Sequence, residues 1–223
     1  RRMTRAVLEL RGVRALEEGQ PHSLTLHEGE LALVLVQDIQ RMAAVTELCC
    51  GLIAPAEGQV LFLGQDWAGL SPEEADALRG RLGATFLAGG WPPQISVADA
   101  VVLPALHHGR GSRAELLERA ADLCRRFGLP GLPLRSPAAL TESELTRAAL
   151  ARAFLSRPDL LLLETPLRRD ADPELPGLLV DAVVSGRPAA CVWMTASLSN
   201  FNDRSIPAAR RFRIGGGGLQ EVA

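Results

Sequence analysis

"RAALARAFLSRPDLLLLETP" (147–166) reads in three pieces. The Ala- and Leu-rich start favours a helix, Arg157-Pro158-Asp159 interrupts it, and the leucine run that follows suits a strand buried on both faces of a sheet. A second run of this kind, "AACVWMTA" (189–196), comes after a segment of helical length, and a third, "ELALVLV" (30–36), lies near the start. Apolar strands separated by helices predict a mostly parallel sheet in an α/β fold.

Between the first and last of these strands lies a block that reads as helix. "SVADAVVLPALHH" (96–108) is one helix, and a second opens on the capping box Ser112-x-x-Glu115 and closes near Gly128. The connector "GLPGLPLRSP" (128–137) leads to a third. Nearer the start, "AVLEL" (6–10), "HSLTLH" (22–27) and "GQVLFLGQDW" (58–67) predict short strands, and Ser71-Pro72-Glu73-Glu74 is a helix start with an N-cap, a proline at the first position and acids in the first turn. "MAAVTELCCGL" (42–52) has helical spacing, while "RRFRI" (210–214), four glycines and "LQEV" (219–222) predict a hairpin.

The composition narrows the function classes. At 223 residues and 47% apolar content the chain can bury a substantial core. A net charge of −2 offers no basic face for a phosphate backbone, which argues against nucleic acid. No apolar run is long enough to span a bilayer, and Arg1, Arg2 and Arg5 are not followed by a signal-peptide core, so a cytosolic protein is expected. All 24 basic residues are arginine. Cys49, Cys50, Cys124 and Cys191 lack metal-ligand spacing and sit in apolar segments, which predicts buried free thiols. His22, His27, His107 and His108 are expected to be solvated or structural.

The order of landmarks resembles the ATPase subunit of ABC transporters over nearly the whole chain. "LHEGELALVLV" leads into a helix ending "CCGL"; "AEGQVLFLGQDWAGLSPEE", "RLGATFL", "SVADAVVLPAL", "LTESELTRAALARAFLSRPDLLLLETPL" and "VWMTASL" follow. Within the family, the segment from "LSPEE" to "SVADAVVLPAL" is similar to the bacterial phospholipid-transport (Mla-like) ATPases. The resemblance implies a RecA-like P-loop NTPase core with an N-terminal antiparallel β subdomain and an α-helical insert. It further implies one cassette domain over 1–223, with the core and β subdomain at about 1–87 and 158–223 and the helical subdomain at about 95–150.

The residues that such a protein needs are replaced. The Walker A loop, G-x-x-x-x-G-K-[ST], cradles phosphates on glycine amides, with a lysine on the β/γ oxygens and a hydroxyl on Mg²⁺. In "VLVQDIQRMAAVTELCCGL" (34–52), Val36 and Arg41 stand for the two glycines, Met42 for the lysine and Ala43 for the hydroxyl. β-Branched Ile39 stands where a further glycine is common. Because the chain has no lysine, no shift of register supplies the ammonium.

The other landmarks depart in the same direction. The "LSGGQ" signature is matched by Leu140, Thr141, Glu142, Ser143 and Glu144, in which Thr141-x-x-Glu144 is itself a capping box and two carboxylates face the place of a phosphate. The Walker B Asp and Glu are matched by Glu164 and Thr165, the sensing glutamine by Leu87 and the switch histidine by Ala196. No Phe, Trp or Tyr precedes Phe62 to stack on adenine, and Asp172-Pro173 matches the family's Asp-Pro only across a gap.

The expected protein is an ATPase-deficient cassette: a pseudo-enzyme with no cofactor, peripheral at the inner face of the cytoplasmic membrane. Its partner is a permease or another ATPase subunit, a dimer included, and an exposed Trp91 in "AGGWPPQ" (88–94) is a candidate anchor, with loop packing as its other role. The alternative is a weak Mg-ATP-binding subunit that energises transport with Arg41 and Glu164 as makeshift ligands. Reuse of the fold outside transport is a third reading.

Overall fold

A computed structural model of the chain describes residues 5–14, 20–87, 89–167, 174–185, 190–215 and 218–222. Two sheets organise it. The smaller is antiparallel, in the order β2 (His22–His27), β1 (Ala6–Arg14), β4 (Glu57–Phe62), β5 (Gln65–Asp66). The larger runs β10 (Gly218–Val222), β9 (Arg210–Gly215), β3 (Glu30–Val36), β8 (Ala190–Thr195), β7 (Leu160–Glu164), β6 (Leu82–Thr85). It is parallel from β9 to β6, and β10 returns antiparallel beside β9 as the expected hairpin.

Continuous apolar runs are required by the position of β3, β8 and β7 at the centre of the larger sheet. Successive side chains of a strand point to opposite faces. Leu33, Leu161, Leu163 and Trp193 pack on the side of the helical block, while Val34, Leu160, Leu162 and Met194 pack on the side of the small sheet and the first helix. Both faces are closed, so each fully buried leucine contributes about 1.5–3 kcal/mol relative to exposure.

The helices are α1 (Ile39–Cys49), α2 (Pro72–Arg79), α3 (Val97–His107), α4 (Arg113–Arg126), α5 (Glu142–Leu155), α6 (Leu175–Ser185) and α7 (Leu198–Asn202). The capping boxes at Ser71, Ser112 and Thr141 all form, each with its hydroxyl accepting from the backbone of the glutamate three residues on. Helices α3, α4 and α5 pack on one another through Val101, Leu116, Ala120 and Leu150, and α5 closes against β6. Gly83 makes that approach possible, because a Cβ there would run into the backbone carbonyl of Ala153.

Three elements differ from expectation, the first being β6, a four-residue strand that no run of apolar residues marks. Strand β1 runs on to Arg14 through the exposed Arg11 and Gly12, because β2 and β4 pair with it on either side and hold its backbone whatever its side chains do. Helix α7, capped by Ser197, is too short to announce itself by periodicity. Asp172 and Pro173 lie outside the described residues.

Replacing Leu162, fully buried in β7, by alanine is expected to lower the unfolding free energy by about 2–5 kcal/mol. The measurement is a lower urea midpoint at an unchanged slope.

Candidate functional site

Only Gln37 and Asp38 separate β3 from α1. Asp38 is extended, at φ −90° and ψ 116°, and its carboxylate accepts from the amides of Gln40 at 2.9 Å and Arg41 at 3.3 Å. The amide of Met42 donates to the Asp38 carbonyl at 3.0 Å, so the chain is already helical where a phosphate loop would curve. The first amides of a helix have no partner within it, and here an aspartate supplies one. Ile39, 59% exposed, is the first residue of this helix rather than part of a nest. Val36 ends β3, Met42 is buried and Ala43 is half-buried. Arg41 donates to the Gly215 carbonyl at 2.7 Å and lies 3.5 Å from Asp38.

The other end of α1 is closed as well. Arg79 donates to the carbonyls of Cys50 at 3.0 Å and Gly51 at 2.8 Å, and its guanidinium lies over the Trp67 ring. Gly51, the lone glycine of residues 34–52, has φ +63°, and any Cβ there would strike Trp67. It therefore serves the end of the helix and not an anion.

The C-terminal ends of the central strands bring several predicted positions together. Glu164, 5% exposed, accepts from the amide of Leu87 at 2.9 Å. Thr165 has φ +39°, a strained value for a β-branched residue, held by donation of its amide to the Met194 carbonyl at 2.9 Å. Its hydroxyl points to the Met42 sulfur at 3.4 Å. The position matched to the lysine thus touches the position matched to the general base, through a thioether and a hydroxyl. A cavity of about 160 Å³ beside them is lined by Thr85, Leu87, Trp91, Thr146, Glu164 and Thr165. Arg41 lines a different, largely apolar cavity of about 110 Å³ with Leu8, Val45, Leu48 and Ile214. Ala196 is exposed just beyond β8.

At the start of α5, Thr141 and Glu144 satisfy each other. The Glu144 carboxylate accepts from the Thr141 amide at 2.7 Å, and the Glu144 amide donates to the Thr141 hydroxyl at 3.2 Å. Donation to the Glu144 carboxylate by the Thr141 amide and by the Thr141 hydroxyl, at 2.9 Å, holds its pKa below the usual range. Glu142 and Ser143 occupy the first turn between them.

Trp91 is not exposed. It is half-buried against the main core with the Arg152 guanidinium 4.5 Å from its ring centre, and Arg152 also donates to the carbonyls of Gly89 and Gly90. The packing that was its other expected role is present in the structure. The four cysteines are free and buried, as expected, and burial pushes the Cys50 and Cys124 thiols up to about 12. Protonated thiols are neither nucleophiles nor metal ligands.

A parallel sheet feeding a capped helix, an antiparallel sheet at its flank and a packed block of three helices define the ATP-binding-cassette architecture. The ABC transporter family profile matches residues 44–168. The chain belongs to this family. The lipoprotein-releasing system ATP-binding protein LolD of Pseudomonas syringae pv. tomato is 31% identical over 172 residues, 73% of this chain and 75% of LolD. The intermembrane phospholipid transport system ATP-binding protein MlaF of Haemophilus influenzae is 31% identical over 166 residues, 72% of this chain and 61% of MlaF. Spermidine/putrescine and methionine import ATP-binding proteins also match, so the likeness to phospholipid-transport ATPases is one of several. Among solved structures, the dimeric structure of MJ0796, a bacterial ABC transporter cassette, superposes with a TM-score of 0.79 over 97% of this chain and 99% of that one, at 20% identity.

Two substitutions test the roles assigned here. Asp38→Ala is expected to lower stability by about 1 kcal/mol through loss of the cap, measured by urea denaturation. Trp91→Ala is expected to lower it by about 2 kcal/mol by removing a ring packed between the core and Arg152, which an exposed anchor would not do.

Proposed function

We propose that this chain is an ATPase-deficient cassette subunit, a structural or regulatory partner in a membrane transporter. The observation that carries the reading is the Asp38 carboxylate on the N-terminal amides of α1. A phosphate placed there would have to displace that carboxylate and meet its charge, and no lysine exists to compensate. Thr165, with no carboxylate, cannot act as the general base on an attacking water. The carboxylates of Glu142 and Glu144 at the start of α5 disfavour a nucleotide presented by a second cassette. Both halves of a shared site are therefore poor.

The degenerate positions Val36, Ile39, Arg41, Met42 and Ala43 are read as structural, as are Thr141 to Glu144, Glu164, Thr165, Leu87 and Ala196. The partner is a permease, a second cassette or both, and the chain acts as one cassette unit at the inner face of the membrane. No helix among the described residues is long and apolar enough to cross a membrane, which accords with a peripheral role. Leu103 and Leu106, 50% and 39% exposed on one face of α3, offer an apolar surface for docking in place of Trp91. The likeness to LolD and MlaF supports a lipid-type cargo.

The competing reading, weak Mg-ATP binding through Arg41 and Glu164, is not favoured. Arg41 is engaged by Asp38 and Gly215, Glu164 by Leu87, and the two line separate cavities.

Calorimetric titration with MgATP at near-physiological salt is expected to show no binding into the millimolar range. Micromolar binding that weakens in Arg41→Ala or Glu164→Ala would overturn the proposal.

A further inference from the structure

We propose that Asp76, His107 and His108 form a binding site for a divalent transition-metal ion of the zinc type, joining α2 to α3. Asp76 lies in α2, His107 is the last residue of α3, and His108 is its C-cap. The Asp76 Oδ2 atom is 3.3 Å from His107 Nε2 and 3.9 Å from His108 Nδ1, and one ligand atom from each of the three lies within 4.8 Å of the others.

The geometry is close to what an ion requires. With bonds of about 2.0–2.1 Å, ligand atoms at two corners of a tetrahedron stand about 3.3–3.4 Å apart. The Asp76–His107 pair already has that spacing, and the remaining separations close by side-chain rotation of two partly exposed groups. Two imidazoles and one carboxylate are a borderline donor set suited to Zn²⁺, Co²⁺ or Ni²⁺ rather than to Mg²⁺ or Ca²⁺, which prefer oxygen alone. Three protein ligands leave a position open to water.

The surroundings hold the ligands in place. His108 lies against Gly80, where a Cβ would come within 2.8 Å of the imidazole, so the end of α2 is open to the ring because that residue is glycine. Arg110 donates to the Gly80 carbonyl at 2.6 Å and fixes the chain just beyond α3 to the end of α2. The two imidazoles meet edge to face, with centres 4.7 Å apart. An ion there would pin α3, the first helix of the helical block, to α2, which precedes β6 of the larger sheet. The segment between them includes Leu87, whose amide holds Glu164.

The test is Co²⁺ titration of the full chain followed by visible absorption, with Zn²⁺ binding followed by calorimetry. One ion per chain is expected, with micromolar affinity, a nitrogen/oxygen-type Co²⁺ spectrum and a Zn²⁺-dependent rise in melting temperature. The variants His107→Ala and Asp76→Asn, both at largely exposed side chains and therefore able to fold, should each weaken binding more than about tenfold. Three results would overturn the site: no binding below millimolar ion, affinity unchanged in either variant, or a thiolate charge-transfer band assigning the ion to cysteine.

Discussion

Burial of the β3–β8–β7 strands on both faces is the constraint on which the molecule depends. A strand with two dry faces has no surface left for solvent, so the helical block must cover one side while the small sheet and α1 cover the other. The C-terminal strand ends, where α/β proteins place their chemistry, then open at fixed positions relative to α1 and α5. Positions at those ends belong to the core themselves: Val36 ends β3 and Met42 is buried on the side of the small sheet.

The places where an anion would be met are helix termini, and each is satisfied from within. Asp38 caps α1, while Thr141 and Glu144 cap α5. A helix N-terminus offers a partial positive charge to whatever sits there, and a carboxylate of the chain uses it as well as a phosphate would. Asp38, Thr141 and Glu144 thus stabilise the helices that they cap. Thr165 is the exception, since it keeps a left-handed backbone at the end of β7 although a β-branched residue gains nothing from it locally. The bend is imposed by the pairing of its amide with Met194 and by the path that the chain takes out of the sheet.

Much of the fold was legible in the residues. β2 and β3 fall at the expected residues because alternation and continuous apolarity are local signals, and the N-cap at Ser71 and the capping boxes at Ser112 and Thr141 form as read because a cap spans one turn. The Asp38 cap is also legible locally, since an aspartate just ahead of helix formers is a cap signal. Trp91 was not within reach. Its half-burial depends on Arg152, on a helix far along the chain, and nothing near Trp91 encodes that encounter.

The sequence by itself determined most of the strands and helices, membership of the ABC transporter family and the absence of any lysine, since each is written in short-range pattern or in composition. Tertiary structure alone decided what stands beside what: Met42 against Thr165, Glu164 on the Leu87 amide, Arg41 turned to Gly215, and Asp76 facing two histidines. The reason is that contacts between residues distant in the chain follow from how whole elements pack. That packing is set by the summed burial of many side chains and by no one of the residues it brings together.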